Sequence, residues 1–167
     1  ARAGFGKKPV VAYAANWLKD NLVENDRICL IHGDYRSGNY IERDGRIVAI
    51  LDWELVHLGD PLDDIAYILG AWRSAPPHNW LSHLLPEEEF FERYEQASGI
   101  KIDMQKLEFY NMLFRFKSLG IGATAAGAWN TAHELDLRIG VFAMTHYIST
   151  FVLISELYNQ HSAREGT

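Results

Sequence analysis

Apolar residues at Val10, Tyr13, Ala14, Trp17, Leu18 and Leu22 recur at the spacing of one helix face, which predicts a helix over residues 9–23 with Pro9 in its first turn. The period then changes. Ile28-Cys29-Leu30-Ile31 is an unbroken apolar run and reads as a short buried strand. Residues 39–43 and 46–51 flank Asp44-Gly45, and an Asp-Gly pair between two strand-like runs predicts a two-residue hairpin. After Gly59, Asp60 is placed to cap a helix with Pro61 at its first position and Asp63 at its third, continued by Leu62, Ile65, Ala66, Ile68 and Leu69. Residues 73–85 hold two prolines and two histidines and read as an irregular surface loop. Pro86 and the run Glu87, Glu88, Glu89 open a further helix, with negative charge where the helix dipole favours it, and Gly99 closes it. Two long helical patterns follow over residues 103–131 and 134–161. The order predicts a single domain over residues 1–167, mainly α with a small β-hairpin.

Composition narrows the function classes. The chain has 167 residues, of which 48% are apolar and 23% charged, the balance of a globular domain able to build its own core. Its formal net charge is −6 and it has no block of lysines or arginines, so a nucleic-acid partner is disfavoured. No apolar run reaches the roughly 18 residues of a membrane span. The single cysteine, Cys29, sits in an apolar run and reads as a small buried hydrophobe. A reducing, cytoplasmic setting is the expectation.

The candidate chemistry lies between His32 and Asp64. Asp34 follows the first predicted strand, Asn39 opens the hairpin, and Asp52 ends the hairpin's second strand, so the three polar residues fall at one end of a small sheet. Phosphoryl transfer asks a protein for a carboxylate to take the acceptor's proton, hard oxygen ligands for magnesium, and positive charge for the phosphoryl oxygens. Asp34 is the candidate base, Asn39 and Asp52 are the oxygen ligands, and Arg36 is a cation two residues from the base. In the protein-kinase catalytic loop the metal-binding Asn likewise follows the base by five residues, with a basic residue at the second position. Taken singly, Asp34 also reads as a turn residue, Arg36 as half of a surface ion pair, and Asp60 as a helix cap.

His32-Gly33-Asp34 with Asn39, then Leu51-Asp52-Trp53-Glu54, then Gly59-Asp60-Pro61 through Asp64-Ile65-Ala66 resemble the aminoglycoside phosphotransferase family. The wording around Asp34-Tyr35-Arg36 and Asp52-Trp53-Glu54-Leu55 is nearest to the branch fused or adjacent to acyl-CoA dehydrogenases. The resemblance implies the helical carboxy-terminal lobe of the protein-kinase-like α+β fold, with catalytic loop and metal site within residues 30–66 and acceptor-side helices within 86–161. It implies ATP and magnesium as cofactors, Asp34 as catalytic base, Asn39 and Asp52 as magnesium and nucleotide ligands, and His32 as a brace for the loop. Asp60 and Asp64 become structural residues at the next helix start. Two departures stand out. The family's amino-terminal lobe, with its phosphate-covering loop and lysine, has no counterpart here, and Trp53-Glu54 stands where protein kinases carry Phe-Gly.

Other patterns carry less. Gly4-Phe5-Gly6-Lys7-Lys8 lacks the spacing of a phosphate loop, and Gly120-Ile121-Gly122 with Ala125 lies inside a helical pattern with no strand before it. There is no zinc-protease His pair and no Gly-x-Ser-x-Gly elbow. Tyr110, Phe114, Arg115, Phe116 and Lys117 read as a core stripe with two solvated cations, although the resemblance places the late helices along the acceptor site. The expected function is therefore ATP-dependent transfer of a phosphoryl group to a small-molecule hydroxyl, with the acceptor's identity open. Its rivals are a non-catalytic binding module of the same fold and a metal-dependent phosphohydrolase using Asp34 and Asp52. A lobe without its partner is expected to expose an apolar face and to self-associate through it.

Overall fold

The computed structural model describes residues 9–71, 80–82, 84–131 and 136–165. They form α1 (Pro9–Asp20), β1 (Cys29–Ile31), β2 (Tyr40–Arg43), β3 (Arg46–Ile50), β4 (His57–Gly59), α2 (Leu62–Ala71), β5 (Trp80–Leu81), β6 (Leu85–Pro86), α3 (Glu87–Ser98), α4 (Met104–Thr131) and α5 (Leu137–Glu165). The architecture is mainly α with small antiparallel ribbons. No helix of the described residues is long and apolar enough to cross a membrane. The chain divides into two compact units, one of residues 23–111 and one of residues 1–22 with 112–167.

The first unit carries all three ribbons. β1 pairs antiparallel with β4, setting Leu30 opposite Leu58, and β2 pairs with β3. Asp44 and Gly45 both take positive φ, 53° and 73°, so the Asp-Gly turn is of the primed kind whose twist suits a hairpin. The β2–β3 register shifts between Ile41 and Glu42. Helix α2 contributes the buried Leu62, Ile65, Ala66 and Ile68 to this unit's core, and Ile31 and Leu81 are buried as well. Helix α3 ends at Gly99, whose φ of 70° lets its N–H return to the Glu95 carbonyl at 2.9 Å.

The second unit contains α1, whose buried face is Ala14, Trp17 and Leu18, and α5, where Leu153 and Leu157 are buried. Both long helices begin at aspartates, Asp103 where the predicted 103–131 pattern starts and Asp136 two residues inside the predicted 134–161 pattern. Asp103 accepts from the N–H groups of Gln105 and Lys106 at the start of α4, and Asp136 from that of Arg138 at the start of α5.

Several sequence expectations change. Helix α1 stops at Asp20 rather than residue 23: the Asn21 N–H makes the last helical bond, to the Trp17 carbonyl at 3.0 Å, and the Asn21 side-chain amide donates to the same carbonyl at 2.7 Å. Leu22 lies beyond the helix and is exposed. The strand at 28–31 is not buried throughout: Ile31 is, whereas Ile28 and Leu30 are exposed and Cys29 is half-buried. A two-stranded ribbon packs only one face on the core. Burial pushes the Cys29 thiol up, with the negative charges of Asp64 and Asp60 adding to it. Strand β4 was not foreseen. The supposed loop at 73–85 ends in the β5–β6 pair, with Leu81 fully buried, while residues 72–79 and 83 lie outside the described residues.

Candidate functional site

The site grows out of one backbone segment, residues 31–40, that leaves β1 and enters β2. Its first turn is held by helix α2. The Asp64 carboxylate accepts the His32 N–H at 2.9 Å with one oxygen and the Gly33 N–H at 2.8 Å with the other. Burial raises the Asp64 pKa, and those two N–H groups pull against it. Gly33 needs its lack of a side chain, since φ is 81° and a methyl group there would lie 2.7 Å from the Leu55 carbonyl oxygen.

His32 is buried and its imidazole spans the site. Nδ1 accepts the Asp34 N–H at 3.1 Å, so Nε2 carries the proton and donates to the Leu51 carbonyl at 2.7 Å. The Trp53 ring packs on it with centroids 4.7 Å apart. Leu51 is the residue between β3 and Asp52, and its N–H donates to the Asn39 carbonyl at 2.7 Å. The loop that presents Asp34 and Asn39 is thereby fastened to the strand end that presents Asp52.

The Asp34 carboxylate meets three donors. Asn39 Nδ2 donates to Oδ2 at 2.6 Å and to the Asp34 carbonyl at 2.8 Å. Arg36 Nε straddles both carboxylate oxygens at 3.2 and 3.3 Å, and the Tyr67 hydroxyl donates to Oδ1. Asn39 is buried. Two acceptors on its nitrogen fix which way its amide faces, and the amide oxygen is left for another partner. Asp52 is exposed, sits at φ 64° and ψ 55°, and precedes a short 3₁₀ turn, Trp53–Leu55. A non-glycine residue in that left-handed region holds about 1–3 kcal/mol of strain. None of the described residues hydrogen-bonds its carboxylate.

This donor chemistry fits magnesium. An amide oxygen and a carboxylate are hard ligands, and magnesium is usually held by one or two carboxylates together with substrate phosphates rather than by a full protein cage. Among the described residues there is no cluster of three or more His, Cys, Asp or Glu arranged to hold a metal.

Asp60 stands apart from the others. Its Oδ1 accepts the Leu62 N–H at 2.9 Å at the start of α2, and its other oxygen lies 3.6 Å from Lys106 Nζ. Lys106 also pairs with Asp26 at 2.7 Å, so Asp60 fastens α2 to the start of α4. Asp63 faces His57 Nε2 at 3.0 Å. Sequence reasoning missed Tyr67. The available signal was its spacing, three residues after Asp64 and so on the same helix face.

Residues 3–110 match a family model described as the phosphotransferase enzyme family. The chain belongs to this family. It is 34% identical over 126 residues to acyl-CoA dehydrogenase family member 11 of Mus musculus, covering 68% of this chain and 16% of that protein. It is 34% identical over 64 residues to hygromycin-B 4-O-kinase of Escherichia coli, covering 38% of this chain and 17% of that protein. Among solved structures, a candidate aminoglycoside phosphotransferase from Ralstonia eutropha superposes with a TM-score of 0.75 at 22% identity, over 94% of this chain and 51% of that one. A thermostable mutant of an aminoglycoside phosphotransferase, in ternary complex with AMP-PNP and hygromycin B, gives a TM-score of 0.55 at 21% identity, over 88% of this chain and 43% of that one. The fold is accordingly the helical carboxy-terminal lobe of the kinase-like fold, and the chain spans about half the length of these solved neighbours or less.

Proposed function

We propose that this chain is the catalytic lobe of an ATP-dependent phosphotransferase acting on a hydroxyl of a small molecule. The observation that carries the reading is the closed set of bonds through His32 and Leu51, which fastens Asp34, Asn39 and Asp52 to one another at the positions where the family's motifs stand. The hygromycin-B kinase and the neighbour bound to AMP-PNP and hygromycin B support a nucleoside triphosphate donor and a hydroxyl acceptor.

In this reading the acceptor oxygen forms a bond to the γ-phosphorus, its proton passes to the Asp34 carboxylate, and the bridging oxygen leaves with the β-phosphate. Arg36 stands beside Asp34 with Nε 3.2 and 3.3 Å from its two oxygens, and in this reading its guanidinium supplies positive charge for the phosphoryl oxygens. The Asn39 amide oxygen and the Asp52 carboxylate would hold magnesium, which when bound offsets the charge of the phosphates as the leaving bond breaks. His32 bridges loop and strand and keeps Asp34 in register. The remaining wall of the nucleotide site would come from an amino-terminal lobe. The cross-strand pair Leu30 and Leu58, 60% and 73% exposed, is the apolar surface we assign to that contact, or to self-association when the lobe is absent.

The test is Asp34→Asn in a two-lobe chain carrying these residues, assayed with ATP, magnesium and a panel of alcohols. The amide keeps the shape but takes no proton, so turnover should fall by about 100- to 10,000-fold. Turnover near that of the unmodified chain would remove Asp34 from its role.

A further inference from the structure

We propose that Tyr67 is a positioning residue for the base, a role that rests on the phosphotransfer reading above. The torsion that sets a carboxylate's plane is two-fold and loosely determined. A base must present one oxygen along one line to the acceptor hydroxyl, and misplacement by about 1 Å can cost about 100-fold in rate. The plane of Asp34 therefore needs anchors at both of its oxygens. Asn39 holds Oδ2, and Asn39 is itself clamped by its second bond to the Asp34 carbonyl. Arg36 touches both oxygens at 3.2 and 3.3 Å and does not distinguish them. Tyr67 bonds Oδ1. Asn39 and Tyr67 together fix the plane, one at each oxygen.

Helix α2 makes this anchor a rigid one. Asp64 and Tyr67 are three residues apart on α2, hence on one face. Along that face Asp64 takes the N–H groups of His32 and Gly33, and Tyr67 takes the side chain of the next residue, Asp34. Three successive loop residues are thus held by one turn of a helix that also carries the buried Ile65 and Ile68.

The experiment compares Tyr67→Phe, Asp34→Asn and the double variant in the two-lobe chain, with kcat and KM measured separately for ATP and acceptor. Phenylalanine keeps the ring and removes only the donor. The expected result is a kcat about 10-fold lower with both KM values within about twofold and an unchanged melting midpoint, and no further loss when Tyr67→Phe is added to Asp34→Asn. If Asp34→Asn lowers turnover by about 100-fold or more while Tyr67→Phe leaves kcat unchanged, or lowers the residual turnover of Asp34→Asn by the same factor as it lowers that of the unmodified chain, the role given to Tyr67 is overturned and the phosphotransfer reading stands. If Asp34→Asn itself retains turnover, both fall. Should Tyr67→Phe not fold, 3-fluorotyrosine at position 67 keeps the shape and alters only the strength of the donor. A kcat that then changes at constant KM supports the role, and an unchanged kcat overturns it.

Discussion

Replacing Gly33 with alanine should cost more than any other single methyl group added to this loop, and the structure allows the cost to be divided. The residue has φ 81°, so a side chain pays about 1–2 kcal/mol for left-handed backbone alone. The new methyl carbon would also stand 2.7 Å from the Leu55 carbonyl oxygen and 2.9 Å from its Cβ. Both are fixed parts of the turn that follows Asp52, so the second contribution is an overpacking cost of about 1–3 kcal/mol. The total, about 2–5 kcal/mol, lowers the melting midpoint of a domain this size by about 4–20 °C. Gly45 is the internal control: its φ is 73°, but a methyl group there meets nothing within 4 Å. Gly45→Ala therefore carries only the backbone part, about 1–2 kcal/mol. Both variants are melted side by side, followed by circular dichroism. A Gly33→Ala midpoint no lower than that of Gly45→Ala would refute the claim that the loop carrying Asp34 is seated directly on the turn that follows Asp52.

Asp52→Gly should relieve the strain at φ 64°, leaving stability equal or raised by about 1 kcal/mol, while titration of the two-lobe chain shows weaker magnesium-dependent nucleotide binding; unchanged affinity removes Asp52 from the ligand set. Glu95 is held below the usual carboxylate range by Lys101 and by the Ile102 N–H. Its contribution to stability is therefore present above the ordinary glutamate value and is lost as pH falls through the depressed one. Glu95→Gln should flatten that acid limb in pH-dependent melts, and an unaltered limb would count against it.

The sequence carried the parts of this structure that depend on short-range rules. The Asp44-Gly45 turn, the Asp60 cap and the Gly99 stop each follow from one residue's own conformational limits, and the helices from apolar spacing. What stayed hidden depended on contacts between distant positions. Strand β4 has three residues, too few for a period, and exists because Cys29 to Ile31 are there to pair with it. The exposure of Leu30 could not be read from an apolar run, since such a run does not say which of a ribbon's faces is packed. At the candidate site the motifs located Asp34, Asn39 and Asp52, but the bond from Tyr67 crosses 33 positions, and the anchor on Leu51 is a peptide group with no side-chain identity to notice.

That last point bears on which positions are at liberty to vary. Leu51 joins the two halves of the site through its N–H and its carbonyl, while its side chain is 45% exposed. Nearly any residue can stand there and keep both bonds, proline alone being barred because it has no N–H to give. The tie at position 51 is therefore made by the main chain, and a change of side chain there tests something other than the link between the two halves of the site.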